Sequence, residues 1–203
     1  MNARRVLAFG AHPDDLEVGA GGLIARCVRD GATVTMVVSS IPNRFPQRLD
    51  EARAGANVLG GQLVFALGER EVRVDDVPMH ELVARFDGLV AEYAPDLVIT
   101  HNASDLHADH YRVHRATISA VRRAPCDLLA YTAAPDLSAQ RRTYGDCFVD
   151  ITDTIETKLE SLTAHASQIS VRTIESRRDM ARAVGRVCGA HYAEAYEVLR
   201  LRI

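Results

Sequence analysis

The 203-residue sequence has no tryptophan, and all aromatic residues together make up 5% of it. A ligand that needs ring stacking must therefore rely on tyrosine or phenylalanine. Four cysteines, Cys27, Cys126, Cys147 and Cys188, form no CxxC pair and no regular spacing. This excludes a thiolate metal knuckle and a disulfide framework, and reduced structural thiols are expected. No apolar run approaches the roughly 20 residues that span a bilayer. The opening MNARRVLAFGAHPDD holds an apolar run too short for a signal peptide, so the expectation is a cytoplasmic protein that engages no membrane. An excess of one charge is also missing: 24 basic residues face 27 acidic ones, for a net charge of −3. That balance gives no general attraction to nucleic acid. The basic stretches RVHRATISAVRRAP and IESRRDMARAVGRV have helical spacing and read as solvated faces. With no repeat, low-complexity tract or linker, residues 1–203 read as a single domain.

What is present is a regular alternation of two periods. RVLAFGA, TVTMVVSS, LVFAL, DLVITHN and CDLLAYTA are apolar runs of strand length, continuous enough to be covered on both faces. Between them lie helical patterns with recognisable stops, such as Asp30-Gly31, Gly60-Gly61 and the residue before Pro95. Strands alternating with helices imply βαβ units and a mostly parallel sheet. The fold class expected is a three-layer α/β sandwich. CFVDIT, two further helical segments and a closing EAYEVLRLRI strand complete the chain.

Ligand sites in open α/β sheets gather beyond the carboxyl ends of the strands. The first strand runs into His12, Asp14 and Asp15. The fourth runs into THNASDLHADHYRVHRA, which holds half of the eight histidines, His101, His107, His110 and His114, together with Asp105 and Asp109. Adjacent carboxylates repel and are costly to bury, and a bound dication answers both problems. His12 and Asp15, three apart on a turn stiffened by Pro13, can reach one ion, which leaves Asp14 free to act as a base. The third ligand is expected from the second cluster. His110 is common to both spaced pairs there, His107/His110 and His110/His114. Asp105 or Asp109 would orient an imidazole through its second nitrogen. Taken alone, HPDD also fits a turn whose Asp15 caps the next helix; the second cluster favours the metal. His80 reads as a surface residue, and pattern leaves His165 and His191 undecided. VGAGG opens a helix but lacks the remaining features of a phosphate loop, so close helix–sheet packing is its better reading. Arg44 and Arg48, in the loop after the second strand, are candidates for a charged substrate group, with solvated arginines as the alternative.

AHPDD after the first strand, joined in order to HADH after the fourth, resembles the PIG-L/LmbE-like family of zinc-dependent deacetylases. RLDEARAGANVLGG, KLESLTAHASQ and HYAEAYEV are similar to further segments of that family, so the likeness runs from about Arg5 to Val198. The resemblance implies a Rossmann-like sandwich and one zinc ion per chain, or another divalent metal, held by His12, Asp15 and His110. It also implies Asp14 as general base, and His107 as the group that polarises the amide carbonyl or protonates the amine. Asp109 would be the partner of His107, and Arg53 would line the substrate site. The family usually has proline where Ala108 stands. The implied reaction removes an N-acetyl group from an amino sugar or its conjugate, and the implied assembly is a homo-oligomer, often a hexamer. The alternatives are a zinc amidase for a non-sugar acyl amide or thiol conjugate, and a catalytically silent metal- or carbohydrate-binding module.

Overall fold

In β1 (Arg5–Gly10), Val6 and Ala8 enter one apolar cluster while Leu7 and Phe9 enter another. A strand buried on both faces in this way needs helices on both sides of its sheet. The computed structural model describes residues 3–133 and 145–202. Among them, β2 (Thr33–Val38), β3 (Gln62–Phe65), β4 (Leu97–His101), β5 (Asp127–Tyr131), β6 (Cys147–Asp150) and β7 (Ala193–Arg200) join β1 in one sheet of order β3-β2-β1-β4-β5-β7-β6. The first five strands in that order are parallel, and β7 pairs antiparallel with both β5 and β6.

One core cluster lies under α1 (Asp15–Arg29), α2 (Gln47–Leu59), α5 (Ile155–Thr163) and α6 (Val171–Cys188). The other lies under α3 (Met79–Tyr93) and α4 (Ala108–Ala120). The expected three layers are present. Helix ends follow the local chemistry: α2 stops at Gly60 with φ 77°, and Ala94 takes φ 41° after α3, directly before Pro95. Glycine at the first of these avoids the Cβ clash of a left-handed residue. No helix among the described residues is long and apolar enough to cross a membrane. All four cysteines are free thiols, with Cys27 and Cys126 buried.

Helix α1, which carries Asp15, is fastened from behind. A Cβ on Gly19 would stand 1.9 Å from Tyr131 Cδ2, and one on Gly22 would stand 2.7 Å from Ile151. These two glycines of VGAGG let α1 lie directly against the sheet and its neighbours. Buried Glu194 on β7 accepts from the backbone N–H groups of Gly22 (2.9 Å) and Leu23 (2.8 Å), and from Tyr196 Oη (2.6 Å). Lys158 on α5 completes the anchor, donating to Glu194 (2.5 Å) and to the Val18 carbonyl (2.9 Å).

Candidate active site

The strand order reverses between β1 and β4, because β2 lies on one side of β1 and β4 on the other. Crossovers leave in opposite directions at that point and open a crevice at the strands' carboxyl ends. The two histidine- and acid-rich turns follow these two strands. The first is braced by Ser39 and Ser40, whose N–H groups donate to Gly10 O and Ala11 O at 2.9 Å each.

Asp15 is the centre of the cluster. Its Oδ2 accepts from the backbone N–H groups of Ala11 (3.0 Å) and His12 (2.8 Å), which holds the carboxylate over the turn. Three histidines face it: His110 Nε2 at 3.2 Å, His101 Nε2 at 3.3 Å and His12 Nδ1 at 3.6 Å. Burial opposes its charge, but His101 and His110 beside it prevail and hold the carboxyl well below the usual carboxylate range.

The hydrogen bonds sort these histidines. His12 meets Asp109 Oδ2 through Nε2 at 2.9 Å, which leaves its Nδ1 facing Asp15. His110 Nδ1 lies 2.9 Å from Asp105 Oδ1, which leaves its Nε2 facing Asp15. Each ring thus has a carboxylate behind it and a free nitrogen in front, the arrangement that fixes tautomer and orientation in a metal-ligating histidine. His101 differs. Its Nε2 accepts the Ala11 N–H at 3.0 Å and lies 3.2 Å from Tyr131 Oη, so that nitrogen is already engaged. His101 stacks on His110 with centroids 3.9 Å apart, and His114 Nδ1 sits 2.8 Å from the His101 carbonyl. Both rings support the cluster from behind.

Asp14 and His107 flank the same three residues. Asp14 has φ 96° and ψ −27°, a left-handed backbone that side chains seldom adopt, and makes no capping hydrogen bond. Strain of this kind persists only where surrounding structure enforces it. Burial and the charge of Asp15 raise the Asp14 carboxyl to about 7, against the opposing pull of Arg48 and His165. His107 is the N-cap of α4, and its Nδ1 accepts the Asp109 N–H at 3.1 Å. Burial and the neighbouring His110 and His12 lower its pKa. A neutral imidazole that accepts at Nδ1 carries its proton on Nε2. Its ring centre is 5.0 Å from that of His12 and 4.7 Å from that of His110.

Asp109 stands differently from the expectation. Its carboxylate is on His12, and only its backbone N–H meets His107. Arg53 is exposed, and its guanidinium reaches Glu69 (2.8 Å) and Asp50 (3.8 Å), neither of which belongs to the cluster. Arg48 is the arginine beside it. Buried to 5% exposure, it donates to the Pro13 carbonyl at 2.9 Å and stands 3.6 Å from Asp14 Oδ1. Spacing held the signal: Arg48 lies on the first turn of α2 one helical turn before Glu51, which accepts from Ser167. His165 is fully buried, with Nε2 3.3 Å from Glu17 Oε1. His80 is exposed.

The residues present fit a divalent metal. His12, Asp15 and His110 are all buried, and their ligand atoms lie within 4.8 Å of one another. Tetrahedral ligands at about 2.0–2.1 Å from an ion stand about 3.3 Å apart, close to the 3.2 Å between Asp15 Oδ1 and His110 Nε2. Although burial disfavours a charged His110, Asp105 and Asp15 push its pKa up to about 10, so this pocket draws a positive charge between its carboxylates.

Comparison with known proteins supplies the remaining observation. The sequence profile of the PIG-L family, GlcNAc-PI de-N-acetylase, matches residues 7–121, more than half of the chain. The chain belongs to the PIG-L family. Within it, the chain is 26% identical over 230 residues to the 1D-myo-inositol 2-acetamido-2-deoxy-alpha-D-glucopyranoside deacetylase of Mycobacterium sp. (strain KMS), covering 82% of this chain and 75% of the relative. It is 25% identical over 223 residues to the diacetylchitobiose deacetylase of Thermococcus kodakarensis, covering 95% of this chain and 82% of the relative. Among solved structures, the 4-carboxy-2-hydroxymuconate hydratase GalB of Pseudomonas putida superposes with a TM-score of 0.79 over 98% of each chain, at 20% identity. That likeness concerns the fold alone. A PIG-L fold therefore does not by itself decide the chemistry, and the site residues have to.

Proposed function

We propose that this PIG-L family member is a zinc-dependent hydrolase that removes an N-acyl group, acetyl in the first instance, from an amino sugar or amino-sugar conjugate. The products are acetate and a free amine. One observation carries the reading: an uncapped carboxylate, Asp14, is held in a strained backbone conformation beside the buried triad of His12, Asp15 and His110. A silent binding module needs the triad and has no use for the strain. The names of the mycobacterial and archaeal relatives support acetamido sugars as the substrate class.

His12, Asp15 and His110 would hold the zinc, with Asp109 and Asp105 fixing the two imidazoles. Zinc in that position supplies Lewis acidity toward an acyl oxygen and makes a water more acidic. Asp14 accepts the proton of the attacking water, a task suited to a carboxyl raised to about 7. Arg48 holds Asp14 in place through its contacts with Pro13 and Asp14. His107, with its proton on Nε2, donates a hydrogen bond to the oxygen on which negative charge develops. Transfer of a proton to the nitrogen then completes cleavage of the C–N bond.

The test is metal content per chain by mass spectrometry beside acetate release from N-acetylglucosamine conjugates. Wild type is expected to carry about one zinc, as a three-ligand catalytic site does, and His110→Ala is expected to lose both metal and turnover. Asp14→Asn is expected to keep the metal and lose about 10²–10⁴-fold in turnover, the usual share of a general base. An Asp14→Asn protein as active as wild type would show the base assignment to be wrong.

A further inference from the structure

The arginines of α6 are not equivalent. Arg178 pairs with Glu156 through both terminal nitrogens, and Arg182 pairs with Asp179 at 3.1 Å. Arg177, half-buried and directly before Arg178 in sequence, has no carboxylate within ion-pair distance among the described residues. Its Nη2 donates to the Ala133 carbonyl at 3.1 Å, just beyond the end of β5, and its Nη1 lies 3.9 Å from Met180 Sδ. Ala133 in turn donates its N–H to Asp105 Oδ2 at 3.1 Å, and Asp105 Oδ1 is 2.9 Å from His110. The guanidinium is thus anchored two hydrogen bonds from Asp105, the carboxylate that stands behind His110. Burial lowers its pKa, and the carboxylates whose charge reaches it are Asp14 and Asp105, both in the active site.

A guanidinium has five N–H donors in a fixed planar fork. Among the described residues, Arg177 uses the fork once on an oxygen acceptor, the Ala133 carbonyl. Arg48, the arginine beside Asp14, is committed to Pro13, Asn43 and Asp14. A partly desolvated fork with open donors is suited to an oxyanion, which it binds with two parallel charge-assisted hydrogen bonds.

We infer that Arg177 is a specificity-determining residue that anchors an anionic group of the substrate, a phosphate or carboxylate carried on the same molecule as the N-acyl group. This rests on the hydrolase reading above and narrows its substrate class to acidic N-acyl amino sugars.

The test compares compounds that share one sugar and differ in charge: N-acetylglucosamine, its 1-phosphate and 6-phosphate, and the corresponding uronic acid. Acetate release is measured with wild type, Arg177→Gln and Arg177→Lys, and calorimetry measures binding of the matching free amines to the same proteins. Glutamine keeps an N–H for the Ala133 carbonyl while removing the charge, so a folded variant is available. Wild type is expected to favour at least one anionic member over the neutral one by about tenfold or more, the scale of a charge-assisted bidentate contact. Arg177→Gln is expected to lower that anionic-to-neutral ratio by a similar factor, chiefly through KM, with partial recovery in Arg177→Lys. Preference for the phosphates or for the uronic acid tells which oxyanion is bound. An unchanged ratio in Arg177→Gln, or no anionic preference in wild type, overturns the inference. If no compound releases acetate, the hydrolase reading fails by itself, and the calorimetric ratios still decide the role of Arg177.

Discussion

Asp14 and Asp15 are neighbours in sequence and opposites in environment. Asp15 is enclosed by backbone N–H groups and histidines that stabilise its charge, whereas Asp14 is lifted by burial and by Asp15 itself. The left-handed backbone of Asp14 turns the two carboxylates apart, so one chain segment presents the proposed ligand and the proposed base. The histidines are sorted by what stands behind each ring. Asp105→Asn therefore should weaken zinc affinity by about 10–100-fold while leaving all three ligands in place, the usual effect of removing an outer carboxylate. Competition with a chromophoric chelator measures this, and an affinity equal to wild type would mean that Asp105 does not support His110. Arg48 and Arg53 can be separated in the same manner. Arg48→Ala is expected to cost the larger part of kcat, since Arg48 touches Asp14 while Arg53 pairs with Glu69.

Helix α1 delivers Asp15 to the crevice, and its position depends on contacts made far along the chain. Glu194 and Lys158 meet at α1 across 36 residues of sequence and are both buried. Removing one partner leaves the other charge uncompensated. Lys158→Met is therefore expected to destabilise the protein by about 3–5 kcal/mol, and joint replacement of both partners by apolar residues should recover part of that loss. Urea denaturation of the single and double variants checks both statements. Gly19→Ala would drive a methyl group into Tyr131, and a loss of about 1–3 kcal/mol is expected from such overpacking; unchanged stability would mean that α1 can shift away from the sheet. β1, β2, β4 and β5 were legible in the sequence because both-face burial writes continuous apolar runs, and β3, a partly exposed edge strand, was legible from the apolar LVFAL alone. The place of β7 was not. EAYEVLRLRI reads as a closing strand, yet β7 lies between β5 and β6, antiparallel to both. Strand order depends on which edge is open when the segment arrives, and local composition does not encode that.

For the molecule as a whole, the proposed metal ligands come from two turns that follow β1 and β4. An ion bound there stabilises the folded state by mass action, by about 2.7 kcal/mol when free metal is a hundred times its Kd. Treatment with a chelator is expected to lower the Tm, and one equivalent of zinc is expected to restore it, as for other sites whose ligands converge only on folding. A Tm indifferent to both would show that the three ligands are held in place without an ion. Reversal of the strand order between β1 and β4 creates the crevice, so the site is a property of the topology as much as of its side chains.

Residue type and order were enough to determine the α/β class and the pairing of an HPDD turn with an HADH turn, because those signals are local: an apolar period, and an acid–histidine cluster at a strand end. Geometry between distant segments decided the rest. It turned Asp109 toward His12, engaged His101 with the Ala11 N–H, buried Arg48 against Pro13 and Asp14, left Arg53 in solvent, and brought Arg177 to the edge of the site. Which of two nearby arginines meets Asp14 depends on the rotation and depth of the helix that carries it. Those are set by packing against a segment more than a hundred residues away, through Glu51 against Ser167, and no local pattern contains them.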